Sequence, residues 1–279
     1  MSDFLKRFMG SWSGMLGAVM LLLLILMAAF ADLLYPGDPW RMAGMPNLPP
    51  FSEGFVFGTD QLGRDIAAGI VHGARMSLII GFVSTVVSVI IGICVGAIAG
   101  YFSGRTDDIL MRLTEFFQTI PSFMLAIVLV AIFSPSLWSI VSAIAVVTWP
   151  PVARLVRAEF LSLRSRDFVR AAKIGGHSSF DIIFRQILPN ALSPVIVMAS
   201  LMVAAAILIE SGLSFLGLGD RNFITWGFMI GAGRTMIRQA WWLSAIPGMA
   251  IFLTVLALNL FGQGLSDVLN PRLARRIRA

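Results

Sequence analysis

Charge is what this sequence has least of: Asp, Glu, Lys and Arg make up 13% of its 279 residues, against 57% hydrophobic ones. An average soluble domain carries roughly a quarter charged residues, and with a mean hydropathy of +0.86 a soluble fold is excluded. Cysteine is nearly absent. Cys94 stands alone inside an apolar run, which rules out an internal disulfide or a cysteine-based metal site and reads as small-residue packing. Two histidines, His72 and His177, are too few for a histidine metal cluster, and both read as surface polar residues. There is no G-x-x-x-x-G-K-[ST] phosphate loop and no H-E-x-x-H. No catalytic residue, metal or cofactor is therefore expected in the chain itself.

What is present is a series of long apolar runs, several of which reach the roughly 20 residues needed to cross a hydrocarbon core. An all-α integral membrane protein with six transmembrane helices follows, with spans near residues 14–34, 76–101, 110–133, 137–156, 191–209 and 241–262. The first run is longer than the 7–15 residues of a signal-peptide core and reads as a retained span. Gly92, Gly96 and Gly100 form one stripe on the second span, of the kind that lets helices approach closely in lipid. Pro150 and Pro151 are expected to kink the fourth.

Six spans place both termini on one side. With that side cytoplasmic, fifteen of the 21 Lys and Arg residues fall inside and six outside, as the positive-inside rule requires. This accounts for the net charge of +6 without a nucleic-acid partner. The chain divides into an N-terminal region with the first span and an outer segment (1–75), a core of five spans (76–272) and a basic tail (273–279) that reads as an anchor for anionic lipid.

One polar stretch, 159–190, interrupts the core. Arg164, Arg166, Arg170, Lys173 and Arg185 alternate with Glu159, Asp167 and Asp181, too many charges to cross a bilayer, and helical spacing lies on both sides of Gly175-Gly176. A cytoplasmic helix-turn-helix knob is expected, with Ala171 and Ala172 small enough to seat in a partner's groove and Gly176 permitting a turn that a Cβ disfavours. Elsewhere charges sit near span ends. Glu115, about a turn and a half into the third span, is placed to pair with Arg112 at i, i+3 or to face a solute path. Span centres free of charge argue against an ion-coupled carrier, in which such groups lie deep.

Arg170-Ala171-Ala172, Gly176 four residues later and Leu188-Pro189 resemble the EAA loop (E-A-A-x3-G-x9-I-x-L-P) of ABC-importer permeases. Arg170 stands where the motif has an acid, and Gln186 where it has Ile. Further blocks are similar to the second permease of dipeptide, oligopeptide and nickel importers: Gly58-Thr59-Asp60-x-x-Gly63-Arg64-Asp65, Gly73-Ala74-Arg75-x-Ser77-Leu78, Leu213 to Gly219, Trp226-Gly227-x-Met229, and Gly264-Leu265-x-Asp267-x-Leu269-x-Pro271-Arg272. The proline usual between Gly219 and Trp226 is missing.

The resemblance implies a type I ABC-importer permease (MetI-like) fold in a bacterial inner membrane. It implies a homologous permease and two cytoplasmic ATPase subunits that bind ATP and Mg, with Asp167, Arg170, Ala171, Ala172, Gly175, Gly176, Leu188 and Pro189 forming the coupling loop. An extracytoplasmic solute-binding protein would face loops carrying Thr59, Asp60, Arg64, Asp65 and Trp226. The residues by themselves also allow Gly58–Asp65 to be a turn and helix cap through Thr59 or Asp60. A di- or oligopeptide is the solute this branch implies; nickel or another small solute is the alternative, and an ion-coupled secondary carrier the alternative class.

Overall fold

The computed structural model describes residues 7–269. It is helical, with no strand among the described residues beyond isolated bridges in the segment before the second long helix. The elements are α1 (Trp12–Ala29), α2 (Ala31–Leu34), α3 (Ile66–Phe102), α4 (Gly104–Thr119), α5 (Ser122–Phe133), α6 (Leu137–Leu163), α7 (Asp167–Ile174), α8 (Ser179–Asp181), a π-helical turn (Ile182–Ile187), α9 (Leu188–Phe215), α10 (Trp226–Gly233) and α11 (Trp242–Leu269). Five helical runs are long and apolar enough to cross a membrane, and a sixth crossing requires α4 and α5 together.

That sixth crossing departs from the expected straight span. α4 and α5 meet at an angle of 86°, because Pro121 lacks an N–H and forces Ile120 out of the helical region, to φ −87° and ψ 128°. α4 is also strongly amphipathic, with Arg105, Asp107, Asp108, Arg112 and Glu115 along its length, so only α5 has the composition of a buried span. Pro150 and Pro151, by contrast, sit within a helix that continues from Leu137 to Leu163.

α3 starts ten residues earlier than the apolar run suggests, capped by Asp65, whose Oδ1 accepts from Ala67 N at 2.8 Å. Its 37 residues extend about 55 Å at 1.5 Å per residue, enough to make it the spine of the bundle. The glycine stripe lies against α6: a Cβ on Gly92 would stand 2.5 Å from Val152 Cβ, and one on Gly100 2.6 Å from Phe160 Cβ. At one end of the spine, Ile66, Ile70, Trp226, Trp242 and Leu243 form an apolar cluster. At the other, Val156, Phe160, Val169, Ile182 and Ile187 form a second.

α1 packs on α11, where Gly14 and Gly264 bring the backbones together, and Ser11 donates to Asp267 Oδ2 at 3.5 Å. Arg75 ties the far end of α1 to the early part of α3, donating to Ala28 O at 3.2 Å and Asp32 Oδ2 at 2.9 Å. The first and last described helices thus bring Ser11 and Asp267 to the same end of the bundle as the 163–188 segment. The basic tail lies outside the described residues.

Candidate functional site

The polar stretch folds as a short helix, a glycine turn and a second helical start. α7 begins with Asp167 in its first turn and ends with Lys173 in its last, both favourable to the helix dipole. It stops at Gly176, which takes φ +78° in open space; Gly176 N donates to Lys173 O at 3.1 Å and His177 N to Ala172 O at 3.1 Å. Ser178 then caps α8, accepting from Asp181 N at 3.1 Å. Pro189 cannot donate, and just before it the ladder widens to a π-turn in which Leu188 N reaches back to Ile183 O. Asn190 Nδ2 satisfies Gln186 O at 2.7 Å.

This unit has two faces. Val169, Ala172, Ile182 and Ile187 are buried against α6 and α9, while Lys173 lies over the Tyr101 ring at 5.6 Å and Tyr101 donates to Ser179 Oγ at 3.3 Å. Of the two alanines expected to meet a partner, Ala171 faces outward and Ala172 packs inward, at 9% exposure. The outward face carries exposed Arg170 and Asp167 and three apolar side chains the motif does not single out: Ile174 (88% exposed), Phe180 (69%) and Phe184 (47%). The rings of Phe180 and Phe184 pack with centroids 4.5 Å apart at a 38° tilt. Exposed Cys94, expected to be packed, lines the apolar cleft of about 280 Å³ between α3 and these two rings.

At the opposite end, residues 36–65 fold back over α10. Thr59 does not face outward; it is fully buried, donating to Met45 O at 2.5 Å and accepting from Leu48 N at 2.9 Å. Asp60 Oδ1 accepts from Leu62 N and Arg64 N, both at 2.8 Å, and Arg64 lies over Trp40 at 4.7 Å. Neither Thr59 nor Asp60 caps a helix; Asp65 does, and burial pushes its carboxyl above the usual value against the pull of the Ala67 and Ala68 amides. Trp226, expected in an outer loop, has no exposed surface. Its Nε1 donates to Ile70 O at 2.9 Å and its N to Ser77 Oγ at 3.2 Å, so it bolts α10 to α3. Asp60, Arg64 and Asp65 remain half-buried at the rim of a pocket shared with Phe228 and Met229.

The segment between the expected fifth and sixth spans, 210–240, is mostly helix. α9 runs on to Phe215 and buries Glu210, which accepts from Ser214 and Thr225 at 2.7 Å and Ser211 at 3.4 Å. Thr225 in turn caps α10 by accepting from Phe228 N at 3.1 Å. No charge run or spacing marks Glu210 as buried; only the hydroxyls at 211 and 214 hint at it. Arg112 and Glu115 are both exposed on α4 and no ion pair joins them among the described residues. His72, half-buried rather than superficial, bonds Tyr35 O at 3.0 Å; His177 is exposed.

Residues 92–275 match the family of binding-protein-dependent transport system inner membrane components, and residues 1–50 match the N-terminal transmembrane domain of oligopeptide transport permease C. The chain belongs to this permease family. It is 41% identical over 280 residues to a di/tripeptide transport system permease protein of Pseudomonas aeruginosa, covering 96% of this chain and 92% of that one. It is 38% identical to a dipeptide transport system permease protein of Bacillus subtilis (98% and 86%), and 39% identical to a probable D,D-dipeptide transport system permease protein of Escherichia coli (91% and 86%). Among solved structures, the inward-facing methionine ABC transporter MetNI superposes with a TM-score of 0.60 at 17% identity, covering 72% of this chain and 96% of that one. An amino acid ABC transporter follows at 0.54 and 15%, covering 75% and 95%. At those identities the likeness shows the fold, that of ABC-importer permeases. The protein is an inner-membrane permease, and its α7 to π-turn unit leaves Ile174, Phe180 and Phe184 uncovered beside charged residues.

Proposed function

We propose that this permease carries a short peptide across the inner membrane, driven by ATP hydrolysed in separate cytoplasmic subunits that grip the α7 to π-turn knob. The observation that carries the reading is the knob's two-sidedness. Its inner face is continuous with the bundle core, so it moves with α6 and α9, while Ile174, Phe180 and Phe184 are exposed among charged residues. Side chains of that size cost free energy when left in water, and an apolar patch rimmed by polar groups fits a protein contact. By the positive-inside rule this end is cytoplasmic, as are both termini.

A homologous permease completes the membrane part, two ATPases with bound ATP and Mg dock below, and an extracytoplasmic binding protein delivers solute to the end formed by residues 36–65 and α10. The peptide reading rests on the relatives' transport roles. Reconstitution of the complete complex in vesicles tests it: di- and tripeptide uptake is expected to require ATP and the binding protein and to ignore ionophores. Uptake that collapses with a proton or sodium gradient, without ATP, would place the protein among secondary carriers. Uptake of nickel without peptide would replace the solute.

A further inference from the structure

We infer that the Arg157–Asp107 ion pair is the strut that makes α4 follow the knob, so that these two residues couple it to transport without touching solute, ATPase or binding protein. The inference rests on the proposed coupling role of the knob. Asp107 is one of two buried acidic residues among those described. Its carboxylate takes Arg157 in a two-pronged grip, Nε to Oδ1 at 2.5 Å and Nη2 to Oδ2 at 2.6 Å. Such a planar fork holds orientation as well as distance.

The placement gives the pair its meaning. Arg157 is on α6, the helix that runs into the knob three residues before α7. Asp107 is in the first turn of α4, directly after the Ser103-Gly104 corner, where both residues take positive φ. The rest of α4 touches α6 through lighter contacts, Arg154 to Gln118 at 3.0 Å and Phe117 edge-on to Trp149 at 5.6 Å. α3 is already fixed to α6 by the glycine stripe, and Arg164 from the end of α6 bonds Gly100 O, Tyr101 O and Ser103 Oγ. α4 meets α6 along a shorter contact than α3 does, and beyond it Pro121 leaves a joint bent by 86°. α5 packs directly on α6, Ala126 and Val130 being buried with Ile140, Val141 and Ile144, so a displacement of α6 reaches α5 through that core and reaches the first turn of α4 by the ion pair. Removing one partner of a partly buried pair leaves the other charge uncompensated, so the wild-type arrangement is favoured only while α4 stays in register with α6.

The test uses the full complex with its ATPases and binding protein, and reads peptide transported per ATP hydrolysed. Asp107→Asn and Arg157→Gln are expected to leave hydrolysis within twofold while lowering transport at least tenfold. The exchange Asp107→Arg with Arg157→Asp is expected to regain several-fold of the lost ratio. A purely architectural pair would lower hydrolysis and transport together, or neither, and that result overturns the strut. Should Asp107→Asn fail to assemble, Arg157→Lys keeps the charge but loses the fork; a wild-type ratio in that variant also overturns it. Failure of the wild-type permease to retain any ATPase would instead refute the coupling role itself.

Discussion

Replacing Gly92 by Val on α3 probes one of the close helix contacts of the bundle. A Cβ there would stand 2.5 Å from Val152 Cβ, 2.7 Å from Val152 Cγ1 and 3.1 Å from Ala153 N. Ordinary contact begins at 3.4 Å, so α6 must retreat by about 0.9 Å, and a radial gap of about 0.5–1 Å forfeits a quarter to a half of each dispersion contact it opens. Val152 is fully buried on a continuous helix and cannot swing away. Overpacking of this kind costs about 1–3 kcal/mol, and the added methyls of valine place Gly92→Val near the top of that range. At roughly 2–4 °C per kcal/mol for a chain of this order of size, the thermal midpoint in detergent should fall by about 4–12 °C. Gly248→Val is the control: it lies within α11, and a Cβ there meets nothing within 4 Å. Size-exclusion of heated detergent extracts reads both. Equal midpoints for the two variants would refute the claim that the stripe sets the α3–α6 distance.

Two further perturbations follow from the polar contacts. Arg75 holds the Asp32 carboxyl below its usual value of 3.8 through a hydrogen bond and its charge. A depressed carboxylate stabilises above the unfolded value, and that contribution fades as pH falls through the lower folded one. Asp32→Asn should therefore leave the acid limb of unfolding shallower below about pH 4 than in the wild type; an unchanged profile there would count against the bridge. Glu210→Leu strands the hydroxyls of Ser214 and Thr225 in a buried site at about 1–3 kcal/mol, whereas Glu210→Gln keeps an acceptor and should lose less, as judged by thermal midpoint; the reverse order would contradict the network.

Five of the six spans, the glycine stripe and the helix-turn-helix shape of the knob were legible because each rests on local spacing: apolar length, a four-residue glycine repeat, charges flanking a Gly-Gly break. Tertiary burial was not. Thr59 and Trp226 sit in segments rich in loop-forming residues, yet the chain folds residues 36–65 over α10 and closes both inside. α9 continued past Glu210 because three hydroxyls, two of them on its own next turn, satisfy the carboxylate. The bend at Pro121 was visible as a residue type but hidden inside an apolar run. Arg157 and Asp107 stand 50 positions apart, and no spacing rule joins them. On the knob, the alanine motif pointed to the right segment, while the side chains left exposed there are the larger ones, which a small-residue motif does not report.

The central claim is that Ile174 and Phe180 are where an ATPase grips this permease. The direct measurement is the amount of ATPase retained by affinity-purified permease from membranes, comparing wild type with Ile174→Asp and Phe180→Asp. Both side chains are largely exposed, so insertion and thermal midpoint should be unchanged. Burying one such side chain is worth about 1.5–3 kcal/mol, a factor of roughly 10–150 in affinity, so retained ATPase should drop at least tenfold. Full retention by both variants would contradict the account.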